Sequence, residues 1–151
     1  MTTHQFSASA LINAPPQDVY AIIADYQHGH LQILPKPPFV SLEVEQGGTG
    51  AGTVIRVQMR VLGRLQSFGA VISEPEPGRV LVETNDTGYV TTFTVEPRAE
   101  GRQAYVTIAT TANGRAGLLG ALERWFVSRL LGPIYVRELA QLAAVAAGRS
   151  E

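Results

Sequence analysis

The chain has 151 residues, room for one domain of ordinary size and scarcely for two. Apolar residues make up 45% and charged residues 17%, which supports a packed core and excludes a disordered chain. Twelve basic against thirteen acidic side chains leave a net charge of −1, too even to hold a polyphosphate, and the lack of cysteine excludes disulfides, thiol nucleophiles and thiolate metal sites.

The first residues, Met1-Thr-Thr-His-Gln-Phe6, lack the basic stretch and apolar run of a secretory signal. Alternation of apolar and polar residues predicts a strand over 7–13. Pro15-Pro16-Gln17-Asp18 then opens a short helix, since the missing proline N–H is not needed in a first turn, and Val19, Tyr20, Ile22 and Ile23 give it an apolar face. A second short helical turn over 29–34 stops at Pro35-Lys-Pro-Pro38. Six alternating stretches follow, over 39–45, 53–62, 65–74, 79–84, 89–96 and 103–111. In the second of these, Ile55, Val57, Met59 and Val61 share one face, while Arg56, Gln58 and Arg60 share the other.

Turn chemistry separates most of these strands: the glycine-rich run 47–52, Gly63, Pro75-Glu-Pro-Gly78, Asn85-Asp-Thr-Gly88 and Glu100-Gly101. Connections this short join antiparallel neighbours. The run 47–52 lacks the Gly-Lys-Ser/Thr ending of a phosphate loop and leads into a strand, so it reads as a hairpin turn. Residues 116–147 form one long helical pattern, about 45 Å at 1.5 Å per residue, with a kink expected at Gly132-Pro133. Its most apolar part, 139–147, falls short of the roughly 20 residues of a membrane span, so a soluble, cytoplasmic chain with no integral membrane segment is expected.

These elements predict an α+β fold in which a curved antiparallel sheet grips a long helix and leaves space for an apolar small-molecule site. The stretch from Ser9 to Tyr26, with Ala14-Pro15, Val19-Tyr20 and Asp25-Tyr26, resembles the opening of the START/birch-pollen-allergen-like superfamily, above all its bacterial polyketide cyclase/dehydrase and lipid-transport group. The glycine run feeding a long strand and the turn Glu74-Pro-Glu-Pro-Gly-Arg-Val-Leu81 extend the likeness. The resemblance implies a single helix-grip domain over residues 1–151. Its seven-stranded sheet would wrap around a C-terminal helix, with two short helices between strands 1 and 2 and a cavity between sheet and helix.

Arg129 is the first candidate ligand contact. It sits among Leu118, Leu119, Leu122, Trp125, Phe126 and Leu130 when residues are placed at about 100° intervals, so it reads as a clamp for a ligand carboxylate or phosphate, an internal ion pair, or a side chain snorkelling to water. Leu122, Trp125 and Phe126 are expected on the cavity wall or in the core. Ile55, Val57, Met59, Tyr89, Phe93, Val95, Val106 and Ile108 are expected to face the helix, and Tyr89, Thr91 and Thr110 supply polar groups able to orient a ligand or bond to their neighbours. Glu83 is assigned to solvent.

Of the three histidines, His28 and His30 form the only cluster, without a third metal ligand beyond Asp25, so solvated loop positions are expected and no metal is called for. With Tyr26, His30 is also a candidate for closing a lid. Arg56, Arg60 and Arg64 read as a solvated basic face, not a nucleic-acid site. No nucleophile elbow, zinc motif or paired-carboxylate motif is visible, and no cofactor is implied. The leading expectation is a monomer or homodimer that binds or carries a small hydrophobic molecule such as a lipid, quinone or polyketide. The alternatives are an aromatase/cyclase or dehydratase using the same cavity, and a co-chaperone-like interaction module.

Overall fold

The computed structural model describes residues 2–114 and 117–149. Its elements follow the expected order: β1 (Thr2–Ile12), α1 (Pro16–Ala24), α2 (Gly29–Ile33), β2 (Phe39–Gln46), β3 (Val54–Val61), β4 (Arg64–Glu76), β5 (Val80–Asn85), β6 (Tyr89–Arg98), β7 (Gln103–Gly114) and α3 (Gly117–Arg149). Ala116, where the sequence pattern starts the last helix, lies outside the described residues. α3 continues through Pro133 as one helix of 33 residues.

The strands form one antiparallel sheet in the order β1-β7-β6-β5-β4-β3-β2. From β2 to β7 each strand pairs with the next in sequence, as short turns dictate. β1 instead lies beside β7, because α1 and α2 carry the chain across to the opposite edge before β2 begins. This is the helix-grip arrangement. β3 buries Ile55 and Val57 and exposes Arg56 and Arg60, which is the predicted alternation.

The glycine-rich run after β2 is a turn, and its backbone is tied to the end of α1. The Tyr26 N–H donates to the Gly48 carbonyl at 2.9 Å and the Gly50 N–H to the Ala24 carbonyl at 3.0 Å. Glu74 clasps the same turn: it accepts from the Tyr20 hydroxyl at 2.6 Å and from the Ala51 N–H at 2.7 Å. Gly50 has φ +63°, and a Cβ there would fall 2.2 Å from Glu74 Oε1, so only glycine fits. The motifs that carry the family resemblance at Tyr20 and Glu74 therefore have a structural role, holding α1 against the sheet.

The inner face of the sheet has two zones. In one, α1 and the second half of α3 pack directly on β1, β6 and β7. Val19, Ile22 and Ile23 of α1, Val95, Val106 and Ile108 of the sheet, and Leu139, Leu142 and Ala146 of α3 all belong to this packed core. At about 1.5–3 kcal/mol per fully buried aliphatic side chain, this zone supplies much of the driving force for folding. In the other zone the helix stands away from β3–β5 and leaves a hollow.

Candidate functional site

The hollow has a volume of about 380 Å³, within the roughly 300–1,000 Å³ of small-molecule sites. Its walls are largely apolar. Ile55, Val57 and Met59 of β3 face Val127, Leu130, Leu131 and Ile134 of α3, with Leu42 and Phe68 beside them and Phe93 on the β6 side. No lysine or arginine lines it among the described residues.

One polar cluster of the lining is built by sheet register. Glu83 of β5 pairs with Thr91 of β6, which pairs with Thr110 of β7, so the three side chains stand in a row on the inner face. Thr91 and Thr110 hydroxyls are hydrogen-bonded at 2.8 Å, and Thr110 also bonds the Tyr135 hydroxyl on α3. Burial pushes the Tyr135 phenol up to about 12, so it stays protonated.

Glu83 has two further partners. The Tyr26 hydroxyl donates to Glu83 Oε2 at 2.5 Å, a short charge-assisted bond, and His30 Nε2 lies 3.5 Å from the same oxygen. His30 Nδ1 is 2.7 Å from the Ile23 carbonyl, which can only accept, so this nitrogen carries a proton. The imidazole is stacked on Tyr26 with ring centroids 4.3 Å apart. Burial, followed by the negative charge of Glu83, raises the Tyr26 phenol well above its ordinary value. The tyrosine is thus a permanent donor that holds Glu83 in place.

Glu138, on α3, is the second carboxyl of the cavity. It is only 3% exposed and lines the cavity. Burial first, and then the nearby charge of Glu83, hold it well above the ordinary carboxylate range. An acid that burial holds protonated above the ordinary range thus lines the same cavity as Glu83, which accepts the Tyr26 hydrogen bond. One group can give a proton and the other can take one.

Several sequence expectations need correction. Ile55, Val57, Met59, Tyr89, Thr91 and Phe93 line the cavity, whereas Val106 and Ile108 are fully buried in the packed zone away from it. Leu122, Trp125, Phe126 and Arg129 are exposed on the outer side of α3, and the Arg129 guanidinium lies 5.3 Å from the centre of the Trp125 ring. The reason is helical phase. At about 100° per residue, Val127, Leu131, Ile134, Glu138 and Leu142 share a face, and Leu118, Leu122, Trp125 and Arg129 lie on the opposite one. The first half of α3 is apolar on two sides, and the second half, anchored by Leu139 and Leu142, decides which side turns inward.

Glu83, assigned to solvent, faces the cavity, because Leu81 opposite Phe93 sets the inward phase of β5. His30, expected on a solvated loop, is 2% exposed, while His28 points outward beside Asp25 at 3.5 Å. Glu138 and Tyr135 were not singled out from sequence, although an acid placed between Ile134 and Leu142 at helical spacing is a visible signal.

Comparison with known proteins agrees with this architecture. A family model described as polyketide cyclase/dehydrase and lipid transport matches residues 3–147. The solution structure of KanY protein is 28% identical, covers 97% of this chain and 99% of that one, and superposes with a TM-score of 0.82. The aromatase/cyclase ZhuI from Streptomyces sp. R1128 is 16% identical over 99% of this chain and 97% of that one, with a TM-score of 0.77. TTHA0849 from Thermus thermophilus is 23% identical over 97% and 99% of the two chains, with a TM-score of 0.72. No curated protein matches the chain. A family match over nearly its whole length, together with the gripped helix and the hollow beneath it, places this chain in the polyketide cyclase/dehydrase and lipid transport family.

Proposed function

We propose that the cavity binds a small, mostly apolar carbonyl compound and catalyses proton transfer on it, as in a cyclisation or dehydration. The observation that carries this reading is Glu138: a buried carboxyl lining an apolar hollow beside Glu83. Ile55, Val57, Met59, Tyr89 and Phe93 contact the apolar body of the ligand, and its burial drives binding at about 25 cal/mol per Å².

In a dehydration of a β-hydroxy ketone, Glu83 takes the proton from the carbon next to the carbonyl. Tyr26 and His30 fix the orientation of that carboxylate. The bond from the β-carbon to its hydroxyl breaks as Glu138 gives its proton to the departing oxygen. The products are the conjugated enone and water. Glu83 is left protonated and Glu138 ionised, and proton exchange with solvent restores both.

A pure carrier needs only the apolar wall. The cavity lining supports that second reading, but a carrier has no role for the buried acid. The two readings separate with one probe, 4-hydroxy-4-phenylbutan-2-one, followed by the absorbance of its enone. Turnover by the native chain, with Glu138→Gln and Glu83→Gln each slower by about 10²–10⁴ and still binding the saturated ketone, is the expected result. Saturable binding of the probe without turnover favours the carrier.

A further inference from the structure

Two exposed apolar surfaces border the cavity, and neither takes part in the chemistry above. The first is the outer face of α3, where Leu118, Leu119, Leu122, Trp125 and Phe126 are exposed, Leu118 by 86% and Trp125 by 56%. The second is the β3–β4 turn, where Leu62 and Leu65 are 76% and 51% exposed. The cavity wall runs out to both, through Val61 and Gln66 at the turn and Val127 and Leu130 on the helix. Together they exceed the scattered single apolar residues of an ordinary surface and mark an interaction site.

The charge on these surfaces is mainly positive. Arg129 is the only charged residue in the middle of the outer α3 face, and Arg60 and Arg64 flank the β3–β4 turn, all exposed. Of the neighbouring acids, Glu123 is exposed at the edge of the face next to Arg124, which is also exposed, and Asp86 accepts from the Gly69 N–H at 3.1 Å, so arginines stay in excess. A tryptophan and a phenylalanine among leucines, with arginines at the margin, is the composition of a helix that lies in a bilayer interface.

We infer that this rim, formed by the outer face of α3 and the β3–β4 turn, docks on the surface of an anionic lipid bilayer. A twofold contact between copies centred on this face would set Arg129 against its own mate and bury cation against cation. A bilayer instead offers phosphates to the arginines and acyl chains to the leucines. It also brings the cavity rim to the lipid, so an apolar guest can enter without crossing water. α3 lies on the bilayer and does not span it, because Leu139, Leu142 and Ala146 of its second half are buried in the core.

Trp125 is the only tryptophan and reports on the contact directly. The whole chain is titrated with phosphatidylcholine vesicles, and with vesicles in which about a third of the lipid is phosphatidylserine. The expected result is a blue-shifted emission and flotation with the serine-lipid vesicles, weakening as salt rises and screens the arginines from the lipid phosphates. Arg129→Glu and Leu122→Asp each weaken vesicle binding by about tenfold or more, with the thermal midpoint unchanged because both sites are exposed. Failure to float with serine-lipid vesicles at low salt, or undiminished binding by both variants, would overturn the inference. So would a blue shift that needs no lipid and grows with protein concentration, which would assign the face to a second copy of the chain.

Discussion

Glu138 is the residue on which the chemistry turns, and its protonation is a statement about stability as well as reactivity. Its folded-state value is raised above the ordinary 4.5 by burial and by Glu83. The folded chain therefore holds a proton that the unfolded chain releases as pH rises past about 4.5. Stability from this group is fully present below that pH and is lost progressively toward the raised folded value. Glu138→Gln removes the titration. The variant should gain melting temperature over the native chain as pH increases from about 4.5 to about 8, and the gap should close at the acid end. Parallel melting curves across that range would show that Glu138 ionises normally.

Residue identity alone could not assign Glu83 or Glu138. β5 reads Val80-Leu-Val-Glu-Thr84, an apolar run with no clear alternation, so either set of residues can face inward. The choice is made by Leu81 meeting Phe93 across the sheet, a contact between segments far from local sequence. Tyr26 and His30 posed the same difficulty. They sit on a connecting segment and the short helical turn after it, and only the closure of α1 and α2 over the sheet buries them.

At the scale of elements, the strands were the legible part. Their alternation and turn residues located six of the seven to within about three residues at each end, because period two and positive-φ glycines are local properties, while β1 begins at Thr2, five residues before its expected start. The face of α3 was not legible. Its first half carries apolar residues on two opposite sides, one for the cavity and one outward, so no single stripe stands out. The glycine-rich turn tests the structural account of the family motif. Gly50→Ala places a methyl group against Glu74 and strains a left-handed backbone. The expected cost is about 1–3 kcal/mol, a fall of several degrees in melting temperature for a chain of this length. An unchanged melting temperature would mean that the Glu74 clasp does not hold α1 to the sheet.

The whole molecule divides its interior between packing and vacancy. α1 and the end of α3 fill the β1, β6 and β7 side, and that solid part lets the rest of α3 stand off from β3–β5 without collapse. Length, composition and the order of elements were enough to read a helix-grip frame with a hollow. They were not enough to read the chemistry of the hollow, which depends on two carboxyls brought together from β5 and α3. The pairing of a proton acceptor with a neutral acid is the centre of the account. It is tested most directly by carbon-13 NMR of the Glu138 side-chain carboxyl across roughly pH 4 to 9. The account predicts a protonated signal that persists well above the ordinary carboxylate range, and a titration that moves part of the way down when Glu83 is changed to Gln, because burial remains while the second charge is gone. A Glu138 carboxyl that titrates with a midpoint near 4.5 would contradict it.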